Sequence, residues 1–358
     1  MLHRRTLMAA LAGATAAPAI VSAQPAKPVV IRFGFANVGV DNRQFSGGNP
    51  IAVAHAEGYF DRELADRPDV RIEYSFFKGA GPAVNEAFAN GQLDFASQGD
   101  LPQVVGRASG LKTRQLAAGG AHAPMYLAVP LNSELRSVKD LKGHKVAIFR
   151  GTNNHLAAVK VLAANGLSER DFQGINMDEA STNAALATGN IDAAFGNFGL
   201  LLLQSQGLVK IIYTTKGDNP AFERQGTLIA NDAFASQHPA LTQKIVTALV
   251  KAAHWSSQEE NRESFFEISA RSGRPAAAYK ADFEGQKLAY RNSPLIDDYL
   301  IQQYRTQARQ AKEYGLIRRD VSVDGWFDPQ FLNTALKQLG LEAFWPRYDA
   351  DGKTQDKV

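Results

Sequence analysis

Short apolar runs alternate with amphipathic segments through the first two-thirds of the chain. Val29–Ala36 and Lys145–Phe149 are strand-length apolar runs, and each precedes a segment with helical spacing, such as Pro50–Glu57 and His155–Ala164. A proline suits the first turn of a helix and a glycine often follows the last turn, as Pro50 and Gly166 do here. This alternation predicts an α/β fold with largely parallel sheets.

Two segments of the chain resemble each other. NEAFANGQLDFASQGD (residues 85–100) aligns with NAALATGNIDAAFGNF (residues 183–198), which matches Asp94 with Asp192 and Gly91 with Gly189. Each segment has the pattern of a helix, a glycine stop and a short buried strand. The alternative is a chance likeness between Ala-rich helices. We expect two similar α/β lobes, in which the matched aspartates have a structural role.

The pattern changes after Ala230. Pro239–Glu267, Pro294–Gly315 and Asp324–Leu341 have apolar residues at helical spacing and few strand-like runs between them. We expect these segments to be helices that pack on the first lobe.

Short polar turns follow several of the predicted strands. The turn at residues 151–154 (GTNN) is the clearest, and 46–50 (SGGNP), 98–102 (QGDLP) and 196–199 (GNFG) have similar chemistry. Ligands of parallel sheets bind beyond the carboxyl ends of the strands, where the next helix presents free N–H groups that attract anions. The alternative for each turn is a plain helix cap. We expect turns from both lobes to face each other across a cleft that closes around a ligand by hinge motion.

The first 23 residues have the features of a signal peptide. A positive Arg4-Arg5 pair precedes an apolar stretch, and Val21-Ser22-Ala23 is a small-residue cleavage site. The predicted mature chain is periplasmic, exported by the Sec route or by the twin-arginine route. No cysteine follows the site, which favours a free periplasmic protein over a lipoprotein.

Charge and composition exclude several classes of function. The chain has 39 Lys and Arg against 36 Asp and Glu, and removal of Arg4 and Arg5 leaves 37 against 36, so nothing favours a nucleic-acid partner. With no cysteine, a thiol nucleophile and a thiolate metal site are excluded. No GxSxG motif or cluster of metal ligands is present, so we expect no cofactor, no metal and no enzyme activity.

Three stretches carry a family resemblance: FFKGAGPAVNEAFANGQLDFASQGD, LKGHKVAIFRGTNNHLAAVKVLAANGL and AHAEGYFDREL. They resemble the periplasmic binding proteins for aliphatic sulfonates, taurine and nitrate, a superfamily that includes binders of thiamine-pyrimidine precursors. The resemblance implies a type II periplasmic binding protein fold, in which two Rossmann-like lobes are joined by a hinge of two crossovers. Lobe 1 would contain residues 28–130 and 228–358 and lobe 2 residues 131–227, with crossings near Val129–Asn132 and Gly226–Asn231.

The resemblance also implies a function. The chain would be a monomeric solute-binding component of an ABC importer, binding a small organosulfur anion and delivering it to an inner-membrane permease. A nitrate binder, a thiamine-precursor binder and a ligand sensor for a membrane receptor are the alternatives. Gly99-Asp100 matches the Gly-Asp turn of the family, and residues 151–155 match its Gly-(Ser/Thr)-Asn-x-His turn; both flank an anionic head group in sulfonate binders.

The chain departs from the family in the second-lobe turn, where Gly196–Gly199 replaces a Trp, a polar residue and a Pro, and in a longer first loop. Both changes fall where the tail of the ligand would lie, so a larger or aromatic sulfur compound is a reasonable ligand. The predicted ligand-binding residues are Asn37, Phe45, Ser46, Gly47, Gly48, Gly99, Asp100, Gly151, Thr152, Asn153, Asn154, His155, Asn197 and Phe198.

Overall fold

The computed structural model describes residues 28–355 and contains ten strands in two sheets. The predicted signal peptide lies outside the described residues. The strands are β1 (Val29–Phe35), β2 (Val70–Phe76), β3 (Phe95–Gly99), β4 (Thr113–Ala118), β5 (Tyr126–Pro130), β6 (Lys145–Ala147), β7 (Gln173–Ile175), β8 (Ala193–Gly196), β9 (Val209–Thr214) and β10 (Gly226–Asn231).

Helices follow most strands and form the C-terminal third. They are α1 (Pro50–Ala56), α2 (Tyr59–Glu63), α3 (Ala80–Ala89), α4 (Asp100–Ala108), α5 (Asn153–Ala164), α6 (Glu179–Ala187), α7 (Gly199–Ser205), α8 (Asp232–Gln237), α9 (Pro239–Ser257), α10 (Arg262–Ala270), α11 (Ala276–Asp282), α12 (Leu288–Arg291), α13 (Asp298–Glu313) and α14 (Gln330–Leu339). Within residues 28–355, none of these helices has the length and apolar character needed to cross a membrane.

The two sheets have the same strand arrangement. The first has the order β2-β1-β3-β10-β4 and the second β7-β6-β8-β5-β9. The fourth strand of each order, β10 or β5, is antiparallel to both of its neighbours, whereas the first three strands are parallel. The prediction of two similar α/β lobes with largely parallel sheets is confirmed.

The matched aspartates have the same role in both sheets. Asp94 accepts a hydrogen bond from the backbone N–H of Arg32 at 2.8 Å, and Asp192 accepts one from the backbone N–H of Lys145, also at 2.8 Å. Each carboxylate thus fixes the start of its strand against the neighbouring parallel strand. Their structural role is confirmed.

The chain passes between the sheets in residues 119–125, from β4 to β5, and in residues 215–225, from β9 to β10. The sequence placed these crossings near Val129–Asn132 and Gly226–Asn231, and both placements were wrong. The first crossing leads into β5, which pairs in the second sheet, and the second crossing leads into β10, which pairs in the first sheet. Both of these strands are antiparallel to their neighbours. We name residues 119–125 and 215–225 the first and second crossings.

The C-terminal helices pack on the first lobe, as predicted. Its core joins aromatic residues of β1 and β3 to α9, α13 and α14, and the fully buried Trp326 lies within it. The helix predicted over Pro239–Glu267 is interrupted, because Gln258 has extended backbone (φ −84°, ψ 126°) and α10 begins at Arg262.

A buried lysine links the second lobe to the second crossing. Lys160 of α5 is only 3% exposed, and its Nζ donates to the carbonyl oxygen of Ala221 at 2.8 Å. Burial lowers the pKa of Lys160 to about 8, although the charge of Asp100 opposes this shift. The contact holds α5 against the crossing.

We expect Lys160→Met to change how stability depends on pH. The folded-state pKa of about 8 is below the ordinary 10.5. Between these values the unfolded chain binds more protons, so the contribution of Lys160 makes the free energy of unfolding of the wild type rise with pH. The variant lacks this contribution. Denaturant unfolding at pH 7 to 10 should therefore give a steeper rise in the free energy of unfolding with pH for the wild type than for the variant. Parallel curves would contradict the burial of the lysine.

Candidate functional site

A cavity of about 670 Å³ lies between the two lobes. The first lobe contributes Asn37 after β1 and Gly99 at the end of β3. The second lobe contributes Phe149 after β6 and the Gly196–Gly199 turn, which begins at the end of β8. The carboxyl ends of parallel strands from both sheets therefore face one space, as ligand sites of open α/β sheets require.

Four helices of nine or more residues begin at this cavity. They are α3 and α4 from the first lobe and α5 and α6 from the second, and their first or capping residues line the cavity at Ala80, Gly99, Asn153 and Glu179. The first turn of a helix has free N–H groups and a partial positive charge. No described side chain caps α3 or α5, so these two N-termini, one from each lobe, suit an anionic group, whereas Asp100 and Asp178 already accept from N–H groups of α4 and α6.

Most of the predicted ligand-binding residues line this cavity. They are Asn37, Ser46, Gly47, Gly48, Gly99, Thr152, Asn153, Asn154, Asn197 and Phe198. Phe45, Asp100, Gly151 and His155 are not among the lining residues. That any of these residues contacts a ligand stays a prediction.

The side chains of Phe45 and Asp100 contact other parts of the protein and do not line the cavity. The Phe45 ring packs edge-on against His55, with 5.9 Å between centroids, and beneath the guanidinium of Arg271. Asp100 is 2% exposed and accepts hydrogen bonds from the backbone N–H of Gln225 at 2.8 Å and from Gln307 at 3.0 Å. Burial raises the pKa of Asp100, although these donors oppose the shift. It joins α4 to the second crossing.

Gly151 and His155 are joined by a hydrogen bond next to the cavity but do not line it. The Gly151 N–H donates to Nδ1 of His155 at 3.2 Å, and Nε2 of His155 lies 3.0 Å from a carboxylate oxygen of Glu169. An accepting Nδ1 requires the proton on Nε2, which is then donated to Glu169. Gly151 has φ +76°, and a Cβ there would lie 3.1 Å from Pro82 of the other lobe. Gly151 therefore lies close to the first lobe, and His155 holds the turn through its contacts with Gly151 and Glu169.

The side chains of Thr152 and Asn153 differ in what they contact. The Thr152 hydroxyl donates to the carbonyl oxygen of Phe149 at 2.6 Å, whereas Asn153 makes no side-chain hydrogen bond to any described residue. Asn153 also approaches the first lobe closely, since a Cβ at Gly99 would lie 2.8 Å from its Nδ2. Of these two side chains, only the Asn153 amide therefore has an N–H donor left for an anionic ligand.

A contact that joins the lobes across the cavity was not predicted from the sequence. Arg274, which precedes α11 in the first lobe, forms an ion pair with Glu179 of the second lobe at 2.8 Å. Phe198 packs on Tyr279 with 4.6 Å between centroids and lies under Arg274. Burial lowers the pKa of Arg274, but Glu179 and Tyr279 together outweigh burial, and the pKa is raised. These side chains form one wall of the cavity.

Two further buried arginines line the cavity. Arg291 forms an ion pair with Asp282 at 2.8 Å, with both side chains 5% exposed. Arg224, in the second crossing, is 8% exposed and donates from Nε to the carbonyl oxygen of Pro124 at 3.1 Å. Arg224 is not among the residues predicted from the sequence, because the second crossing was placed one strand too late. Residues 215–225 also contain Lys216 and Glu223, so no local signal distinguishes Arg224.

Comparisons with known proteins agree with this geometry. A model of the family described as NMT1/THI5 like matches residues 48–263. The chain is 30% identical over 196 residues to an Escherichia coli K12 protein named "Putative aliphatic sulfonates-binding protein", covering 53% of this chain and 56% of that protein. The chain therefore spans little more than half the length of this curated relative.

Solved structures match over more of the chain. A "putative sulfonate ABC transporter, periplasmic sulfonate-binding protein" from Methylobacillus flagellatus KT is 33% identical, with a TM-score of 0.76 over 90% of this chain and 98% of its own. An alkanesulfonate-binding protein from Xanthomonas axonopodis pv. citri bound to MOPS is 23% identical, with a TM-score of 0.71 over 85% and 99%. The predicted two-lobed periplasmic binding protein fold is confirmed. Each of these proteins is named as a binding protein, in agreement with the prediction that the chain is not an enzyme.

We expect the Arg274–Glu179 ion pair to give a measurable coupling energy. Both side chains are partly withdrawn from water, at 14% and 32% exposed, so a cycle of Arg274→Gln, Glu179→Gln and the double variant should give about 1 kcal/mol in denaturant unfolding. The exposed pair Arg71–Glu73, within β2, is the control and should give a coupling near zero. Equal coupling for the two pairs would show that the lobes are not held together by this contact in solution.

Thr152→Ala and Asn153→Ala should differ in their effect on stability. Loss of the Thr152 hydroxyl removes a buried donor from the Phe149 carbonyl and should lower the free energy of unfolding by about 1 kcal/mol. Asn153→Ala breaks no hydrogen bond to the described residues and should stay within about 0.5 kcal/mol of the wild type. Urea unfolding of both variants measures this. The reverse order would show that Asn153, and not Thr152, holds the turn together.

Proposed function

The chain belongs to the NMT1/THI5-like family, and we propose that it binds a small organosulfur anion in the cleft between its lobes and delivers it to an ABC importer. One observation carries the proposal: the N-termini of α3, α4, α5 and α6, two from each lobe, meet at the same cavity. An anion bound there receives hydrogen bonds from both lobes. Its binding therefore stabilises the arrangement in which the lobes are close together.

The organosulfur class rests on the relatives. The Methylobacillus protein, which matches nearly the whole chain, is described as sulfonate-binding, and the Xanthomonas structure holds MOPS, a sulfonate with a bulky tail. A sulfonate has three acceptor oxygens and one negative charge, and so can accept hydrogen bonds from several helix termini at once.

The cavity also favours a ligand with a sizeable tail. Its volume of about 670 Å³ far exceeds what a sulfonate group or a nitrate ion occupies. Phe198 and Tyr279 supply an aromatic wall, and Leu200 and Leu202 add apolar surface nearby. A nitrate ligand would leave this surface in contact with water, so an alkyl or aryl tail fits the cavity better.

The remaining roles follow from the same proposal. The chain would act as a periplasmic monomer, because the mouth of the cleft must dock on an inner-membrane permease to release the ligand. Export through a signal peptide in residues 1–23 would bring it to that compartment.

Ligand-dependent stabilisation tests the function directly. Thermal unfolding of the predicted mature chain, from Gln24, should show a rise in Tm with alkane- or arylsulfonates, because a ligand at 100 times its Kd adds about 2.7 kcal/mol to the folded state. Taurine, sulfate esters, nitrate and thiamine precursors complete the panel. A shift with nitrate alone would overturn the organosulfur class, and a shift with a neutral thiamine precursor alone would overturn the anionic ligand.

A further inference from the structure

The described residues that line the cavity include four cations and four carboxylates, and all but Arg224 and Asp41 pair with one another. Among the described residues that line it, three cations are paired: Lys78 with Asp178 at 3.5 Å, Arg274 with Glu179 at 2.8 Å and Arg291 with Asp282 at 2.8 Å. Asp41 is exposed in the first loop. Arg224 is the remaining cation, and it forms no ion pair within 4 Å with any described residue.

Carboxylates near Arg224 in the chain or in space have other partners. Glu223 lies 2.8 Å from Nδ1 of His122 and accepts from the hydroxyl of Tyr290 at 3.3 Å. Asp100 accepts from the backbone of Leu101 and Gln225 and from the side chain of Gln307. Asp282 raises the pKa of Arg224 more than Asp100 does, but it is paired with Arg291 at 2.8 Å. None of these three carboxylates forms an ion pair with the guanidinium of Arg224.

The backbone of the two crossings holds Arg224 in place. Its N–H donates to the carbonyl of Ala123 at 2.9 Å, and the Ala123 N–H donates back to the Arg224 carbonyl at 2.9 Å. Nε and Nη2 both donate to the Pro124 carbonyl, whereas Nη1 has no hydrogen-bond partner among residues 28–355. The guanidinium is therefore fixed, with one nitrogen free beside the cavity.

A guanidinium in such a place is costly without a counter-charge. Burial lowers the pKa of Arg224, yet arginine stays charged in proteins, so the cost cannot be relieved by loss of a proton. A buried charge is normally paired, and here the group able to pair with it must enter from the cavity.

We propose that Arg224 is the charged anchor of the ligand site, with Nη1 donating to an oxygen of the ligand's acid group. The proposal rests on the proposed function and narrows it. The ligand carries one full negative charge at neutral pH, as a sulfonate does, and a neutral sulfur compound or heterocycle of the same shape is rejected. The helix N-termini then supply further hydrogen bonds to the same acid group.

Paired probes and charge variants test this assignment. Benzenesulfonate and benzenesulfonamide have nearly the same shape but differ by one charge, and 1-butanesulfonate, acetate, sulfate and nitrate extend the anion series. Calorimetric titration would be done on the wild type, Arg224→Met, Arg224→Lys and Lys216→Met. Lys216 is the matched control, since it lies in the same crossing and donates to the carbonyls of Ala281 and Glu284 but does not line the cavity.

The expected pattern is specific. The wild type and Lys216→Met bind the preferred sulfonate with the same affinity, Arg224→Met binds it at least about tenfold more weakly, and Arg224→Lys recovers part of the loss. Benzenesulfonamide binds none of the four proteins measurably. The comparison of sulfonate with sulfonamide needs only the wild type, so it stands even if Arg224→Met fails to fold.

Several outcomes would overturn the role of Arg224. Equal affinity of the wild type and Arg224→Met for the anion would do so and leave the proposed function intact. Sulfonamide binding as tight as sulfonate binding, or no binding of any anion in the series, would also do so. If nitrate or acetate binds in an Arg224-dependent way while sulfonates do not, the anchor stands and the organosulfur class fails.

Discussion

Free N–H groups at the starts of helices are the constraint on which the rest of this structure depends. In a parallel sheet the chain must return from the carboxyl end of one strand to the amino end of the next. The helix in that connection begins near the carboxyl end of the strand. Because the two sheets turn these ends toward each other, the first turns of four longer helices open onto one cavity. Small and polar residues occupy the turns, since a bulky side chain would block the backbone donors.

The two crossings do more than connect the lobes. Lys160 of the second lobe and Asp100 of the first both bond to the backbone of the second crossing, at Ala221 and Gln225. His122 of the first crossing pairs with Glu223 of the second and stacks on Tyr290, with 3.9 Å between centroids. Buried polar contacts of this kind are costly to break singly. The segments about which the lobes would rotate are therefore firmly held, and Arg224, whose Nε and Nη2 donate to the Pro124 carbonyl, is part of them.

The cavity wall has a different character. Arg274 and Glu179 form an ion pair across the lobes, and Phe198 packs on Tyr279 beside it. Its residues come from the tip of a second-lobe turn and from the helices that follow the second crossing. Under the proposed function, the acid group of a ligand would contact the second crossing, and its tail would contact the wall formed by Phe198 and Tyr279.

The sequence by itself determined the α/β class, the repeated lobes and the turns that face the cavity, because periodicity and glycine stops are local signals. The matched positions of Asp94 and Asp192 even predicted a structural role that the hydrogen bonds confirm. The sequence did not reveal where the chain crosses between the lobes, and both crossings were misplaced. An antiparallel strand inserted into a parallel sheet has the same local pattern as any other strand.

Only the tertiary structure decided which polar side chains remain available to a ligand. Asp100 and His155 have suitable chemistry and lie near the cavity, but their hydrogen-bonding groups are directed to Gln225 and Glu169. Arg224 resembles any loop arginine in the sequence. It becomes distinctive only because it is buried and forms no ion pair within 4 Å with a carboxylate of residues 28–355. Pairing and burial depend on residues far apart in the chain, and no local pattern records them.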